Sequence, residues 1–88
     1  MLQQRKVVVQ LDSGLHARPA MMFVQMAQQY KSAVRLCAGS RSINGKSILE
    51  LLTLAADRGT ELLLEVEGED ETAAADALSA FLSRASVD

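Results

Sequence analysis

Gly14-Leu15-His16-Ala17-Arg18-Pro19-Ala20 places the chain's single histidine beside an arginine and just ahead of its single proline. Upstream, Val7 to Leu11 is a largely β-branched apolar run; downstream, Pro19 to Tyr30 consists mostly of good helix formers. The stretch reads as a strand, a turn and the head of a helix. Asp12-Ser13-Gly14 supplies the turn, because Asp and Ser side chains bond back to nearby backbone and glycine reaches positive φ without steric cost. Proline is tolerated only in a helix's first turn, where its missing N–H has no bond to lose. A helix starting near Ala17, with His16 as its cap residue, is therefore predicted. The head of a helix carries N–H groups outside the internal ladder and about half a positive charge. An anion held beside His16 would meet the N–H groups of Ala17 and Arg18 and the Arg18 guanidinium. Phosphate suits that set, since helix N-termini and arginine's planar fork both bind it well.

Working outward, Lys6 to Leu11 alternates Val7, Val9 and Leu11 against Lys6, Val8 and Gln10, the period-two pattern of a strand with one covered face. The first helix is expected to run to about Tyr30, with Ala20, Phe23, Val24, Ala27 and Tyr30 as its buried stripe. Met21, Met22 and Met26 lie off that stripe; methionine there is usually adaptable filler, and Met21, one turn from His16, is the one placed to touch a partner. Ala33 to Ala38 and Arg41 to Asn44 flank Gly39-Ser40 and read as a hairpin whose Val34, Leu36 and Ile43 face inward.

Ser47 to Glu50 fits a capping box opening a short second helix to about Leu54. Ile48, Leu49, Leu51, Leu52 and Leu54 are too many apolar side chains for one face of so short an element, so some are expected to be exposed as a binding surface. After the turn Asp57-Arg58-Gly59-Thr60, the run Glu61 to Glu67 alternates Leu62, Leu64 and Val66 with a mainly acidic, solvated face. Asp70 is the expected N-cap of the last helix, whose first turn also favours negative charge; Ala74, Ala77, Leu78 and Phe81 form its buried stripe. The order is strand, helix, two hairpin strands, helix, strand, helix: an α+β layer architecture with helices on one face of a sheet.

Eighty-eight residues make one domain, 1–88, with a thin core that buries about 60 to 65 per cent of the unfolded surface. Only three residues are aromatic, so that core is expected to be aliphatic. A formal net charge of −2 with no basic cluster gives no footprint for nucleic acid. Cys37, the single cysteine, reads as a small strand residue, and no Cys/His cluster exists to hold zinc. The apolar run Val7-Val8-Val9 is far short of a signal peptide or membrane span. A cytosolic protein without metal or cofactor, and monomeric, is expected.

The run Gly14 to Ala20 resembles the phosphorylation-site motif of the bacterial histidine-containing phosphocarrier family HPr. Lys46-Ser47-Ile48-Leu49-Glu50-Leu51-Leu52-Thr53-Leu54-Ala55 resembles the regulatory-serine region of the same family, in the expected order and at the expected separation. The resemblance implies an open-faced sandwich, βαββαβα, with a four-stranded antiparallel sheet of order 1-4-2-3 covered on one side by three helices. It also implies a carrier rather than an enzyme in the usual sense. His16 would take a phosphoryl group on Nδ1 from enzyme I of the sugar phosphotransferase system and pass it to IIA proteins. Arg18 would neutralise the transferring oxygens, since this chemistry depends mainly on positioning and electrostatics. Ser47 would be the regulatory site, which brings in an HPr kinase/phosphorylase and a transcriptional regulator as partners. A regulatory binding module of catabolite repression, or a carrier of the nitrogen-related branch, are the other readings that the resemblance leaves open. The docking surface is expected to comprise Ala20, Met21, Lys46, Ile48, Leu49 and Leu52. Gln25, Gln28 and Glu50 stand where many relatives have lysine or a small residue, so its basic rim is thin.

Overall fold

The computed structural model describes residues 1–86. Its elements are β1 (Gln3–Val8), α1 (Ala17–Ala27), β2 (Ala33–Ala38), β3 (Arg41–Asn44), α2 (Ile48–Thr53), β4 (Glu61–Glu67) and α3 (Glu71–Leu82). The strands form one antiparallel sheet in the order β1-β4-β2-β3, so the last strand fills the place between the first and the second. One sheet face presents Val7, Val34, Leu36, Ile43, Leu62, Leu64 and Val66, all buried beneath the helices. The other carries Lys6, Arg35, Glu61 and Glu67 and is open. The open-faced sandwich expected from the resemblance is the fold observed.

Two boundaries differ from the sequence reading, for physical reasons. The first strand, expected over Lys6 to Leu11, is Gln3–Val8, because its ladder is set by β4 and runs from Gln3 opposite Val66 to Val8 opposite Glu61. Val9 and Leu11 are buried as the alternation predicts. Their segment, however, has left the ladder: Val9 N–H donates to the Thr60 carbonyl, Gln10 N–H to the carbonyl of Leu82 at the end of α3, and Asp12 N–H to that of Ala85 beyond it. Helix α1 stops at Ala27 rather than Tyr30, since Gln29 and Tyr30 close tighter turns onto Met26 and Ala27; Tyr30 is consequently half-buried. On α3, Ala77 is half-buried, while Ala75 and Leu82 join the buried stripe that Ala74, Leu78 and Phe81 begin. The hairpin is as expected: Ala38 faces Arg41 across a two-residue loop whose first member, Gly39, takes φ +60, the conformation a II′ turn requires there.

The core is aliphatic around an aromatic centre. Phe23 of α1 and Phe81 of α3 meet with ring centroids 6.3 Å apart and planes inclined by 55°, a tilted contact worth about 0.5 to 1.5 kcal/mol beyond the area it buries. The head of α3 is tied to the neighbouring loops by polar groups. Asp70 occupies the N-cap position of α3 without capping it through its side chain. Its carboxylate instead accepts from the N–H groups of Lys31 and Ser32, at 2.9 and 3.0 Å, and from the buried Ser32 hydroxyl. Those bonds hold its carboxyl well below the usual range, at about 2, with the Ser32 hydroxyl the largest cause. Glu71 reaches back to the Gly68 N–H at 2.9 Å and is held low mainly by that bond.

Candidate functional site

His16 is the N-cap residue of α1, in extended conformation, and its carbonyl accepts the first bond of the helix from Ala20 N–H at 2.8 Å. Pro19 lies in the first turn, buried, where the absence of an N–H costs nothing. The histidine side chain makes no capping bond to its own helix, and about 64 per cent of it is exposed. Arg18 is exposed two residues further on. An exposed imidazole therefore stands at the positive end of a helix with a guanidinium on the same turn, the arrangement in which an oxyanion is stabilised.

The approach to His16 is fixed by a second loop. Gly14, at φ +72, donates to the Leu11 carbonyl at 2.9 Å and closes the turn predicted from Asp12-Ser13-Gly14. Leu15, buried, donates to the Ala56 carbonyl at 2.7 Å. That segment follows α2: Leu54 is the C-cap, and Ala55 continues in the left-handed region at φ +50, the conformation in which many helices end. Asp57, next in the segment, brings Oδ1 to 3.9 Å from His16 Nε2. In the sequence Asp57 stands only as the start of the turn before β4. Its neighbour in space is remote in sequence, and no local spacing links the two.

Ser47 caps α2 as the capping-box pattern predicts, its Oγ accepting from Glu50 N–H at 3.3 Å. The reciprocal half differs: Glu50 Oε1 accepts from Asn44 N–H at 3.1 Å, one turn further back than Ser47. The expected apolar surface is present in part. Leu49, Leu52 and Met21 are 75, 41 and 52 per cent exposed, whereas Leu51 and Leu54 are buried, which resolves the excess of apolar side chains on α2. Ile48 is half-buried. Ala20, expected both in the α1 core stripe and on the docking surface, belongs only to the core, because α1 turns it fully inward. Lys46 is half-buried and donates its ammonium to the Tyr30 carbonyl at 2.7 Å, which thins the basic rim further.

Cys37 is a free, half-buried thiol on β2. Among the described residues no helix is long and apolar enough to cross a membrane, and no group of three or more His, Cys, Asp or Glu is arranged to hold a metal ion.

Comparison with known proteins matches residues 3–84 to the family model described as the phosphotransferase-system HPr component phosphorylation site. The HPr-like protein Crh of Bacillus subtilis is 46% identical over 79 residues, covering 90% of this chain and 93% of that protein. The crystal structure of the phosphocarrier protein HPr from Bacillus anthracis superposes with a TM-score of 0.90 at 34% identity, over 92% of this chain and 96% of that one. A crystal structure of Bacillus subtilis Crh, described as a catabolite-repression protein in a domain-swapped dimer, matches with a TM-score of 0.77 at 42% identity over the whole of both chains. With the strand order, the histidine at the N-cap position of α1 and a family match across nearly all of its length, this chain belongs to the HPr phosphocarrier family of the bacterial phosphotransferase system.

Proposed function

We propose that this chain is a phosphoryl carrier in which His16 takes phosphate from the phosphohistidine of enzyme I and hands it to IIA proteins of the sugar phosphotransferase system. The observation that carries this reading is the exposed imidazole of His16 at the N-terminus of α1, which makes no bond to its own helix, with Arg18 on the same turn. The helix head and Arg18 would hold the phosphoryl oxygens, with the N–H groups of Ala17 and Arg18 as backbone donors; the chain supplies position and charge, and no cofactor is needed. Met21, Ile48, Leu49 and Leu52 would form the face that successive partners share, and Ala20 is left out of it because it is buried. The carrier is read as a cytoplasmic monomer.

A regulatory reading has its own support in the likeness to Crh, a protein described by its part in catabolite repression. In that role phosphorylation of Ser47 by an HPr kinase/phosphorylase would be the signal and a transcriptional regulator the partner. Incubation with enzyme I and phosphoenolpyruvate, followed by sugar-type and nitrogen-type IIA acceptors, separates the readings. The carrier reading expects acid-labile, base-stable phosphate on the wild-type chain, none on His16→Ala, and onward transfer to a sugar-type IIA protein. Transfer only to a nitrogen-type acceptor assigns the nitrogen-related branch. Absence of label on the wild type leaves the regulatory module.

A further inference from the structure

We propose that Asp57 is a positioning residue for phosphoryl transfer at His16, its carboxylate balancing the positive charge that the imidazole carries while Nδ1 is bonded to phosphorus. The inference rests on the carrier reading and adds a residue to it. Asp57 Oδ1 lies 3.9 Å from His16 Nε2, too long for a hydrogen bond and an ion pair once the ring is charged. Backbone bonds hold the two loops together, while the side chains that meet are exposed, 64 per cent for His16 and 81 per cent for Asp57. Leu15 N–H is bonded to the Ala56 carbonyl, the Asp57 carbonyl accepts from Thr60 N–H at 3.0 Å, and Gly14 packs directly on the Asp57 Cα.

The chemistry gives that placement a use. In uptake, the Nδ1 lone pair forms the bond to phosphorus as the donor's P–N bond breaks and its electron pair returns to the donor nitrogen. The Nε2 proton stays, so a neutral ring becomes a cation. In donation the events reverse: a ring that keeps its Nε2 proton leaves as neutral imidazole, whereas one that has lost it would have to leave as imidazolate, a poor leaving group. A carboxylate at Nε2 stabilises the cationic ring, as the aspartate does in a Ser-His-Asp triad. The same charge repels the arriving phosphoryl group, but that group bonds to the other ring nitrogen, and the positive end of α1, whose N-cap position His16 occupies, opposes the repulsion. Between groups this exposed, Coulomb attraction at about 4 Å corresponds to roughly a three- to tenfold effect.

Asp57→Asn keeps the shape and removes the charge. Uptake from enzyme I and phosphoenolpyruvate at pH 7 and low salt is expected to slow three- to tenfold. The fraction of the phosphorylated ring that keeps its Nε2 proton, read by 15N NMR, should fall, and the phosphohistidine should persist correspondingly longer. Asp57→Glu should recover part of each effect, and all three should shrink in about 1 M salt. Labelling a second sample with phosphoramidate, a small-molecule phosphoryl donor, makes the ring measurements independent of enzyme I. If wild type and Asp57→Asn show the same Nε2 protonation and the same lifetime, the assignment of Asp57 is overturned whatever enzyme I does. If they differ while enzyme I labels neither, the carrier reading fails and the coupling of Asp57 to the ring stands.

Discussion

A Cβ added to Gly14 would lie 2.8 Å from the Cα of Asp57 and 2.8 Å from the Ala56 carbonyl oxygen. The loop that delivers His16 and the loop that follows α2 thus touch backbone to backbone, and only glycine permits it. Gly14→Ala meets two penalties. The left-handed φ of +72 costs an L-residue about 1 to 2 kcal/mol, and the crowding must be relieved by moving backbone, for which overpacking adds about 1 to 3 kcal/mol. The variant should melt about 10 °C or more below the wild type. Its phosphoryl uptake should fall even at temperatures where it is folded, because the displaced loop carries His16. A melting temperature within about 2 °C of the wild type would show that the two loops part easily.

That contact also marks where sequence reading ends. The turn at Asp12-Ser13-Gly14, the helix head at Ala17 and the hairpin at Gly39-Ser40 were legible because each depends on residues a few positions apart. The core stripes of β2 and β4 followed from alternation for the same reason. The end of β1 was not legible, since its ladder stops where β4 stops and the alternation of Val9 and Leu11 continues beyond it. Nor was Asp57 at His16, a meeting of two loops. Ala20 shows a different limit. Proximity in sequence to His16 pointed outward, helical periodicity pointed inward, and the second governs because it is a statement about direction.

Asp70 gives the fold an acid-sensitive tie. Its carboxyl is lowered from 3.8 to about 2 by bonds from Ser32 and Lys31, so the folded chain binds this proton less readily than the unfolded one. Stability from this group is therefore fully present above about pH 4 and lost as the pH falls through about 2. Asp70→Asn should lower the urea midpoint at pH 6, and the gap to the wild type should narrow steadily between pH 4 and pH 2. Urea titrations across that range check it; a gap independent of pH would mean that the Asp70 carboxylate is not what fastens the Ser32 loop to α3.

Leu49 and Leu51 lie two positions apart on α2 and divide sharply, the first 75 per cent exposed and the second fully buried. Leu51→Ala should cost about 2 to 5 kcal/mol, as large-to-small changes in a packed core do. Leu49→Glu should change stability by no more than about 0.5 kcal/mol, the usual range for a surface position. Binding to enzyme I, measured by titration calorimetry, should nonetheless weaken in Leu49→Glu, since a charge would enter the centre of the proposed apolar face. Unchanged affinity would remove Leu49 from the docking surface without touching the chemistry proposed for His16.

Ser47 faces two demands that substitution can separate. As a cap, its hydroxyl accepts from Glu50 N–H, so Ser47→Ala should cost about 1 kcal/mol, while Ser47→Asp, itself a good cap beside the positive end of the helix, should cost less. Stability therefore ranks Asp above Ala. As a regulatory site the order in activity reverses. A phosphate on Ser47 adds about −1.5 to −2 charges, and a unit charge acting over about 10 Å across a protein surface repels an incoming phosphoryl group by about 1 to 2 kcal/mol. Salt near physiological strength removes about half of that or more. Ser47→Asp should then accept phosphate from enzyme I about three- to tenfold more slowly than Ser47→Ala at low salt, with the difference closing as salt is raised. Melting curves and initial rates on the two variants check both orders together. If Asp is the more stable variant yet the rates are equal, Ser47 is only the cap of α2, and regulation of His16 through a charge at that helix head is excluded.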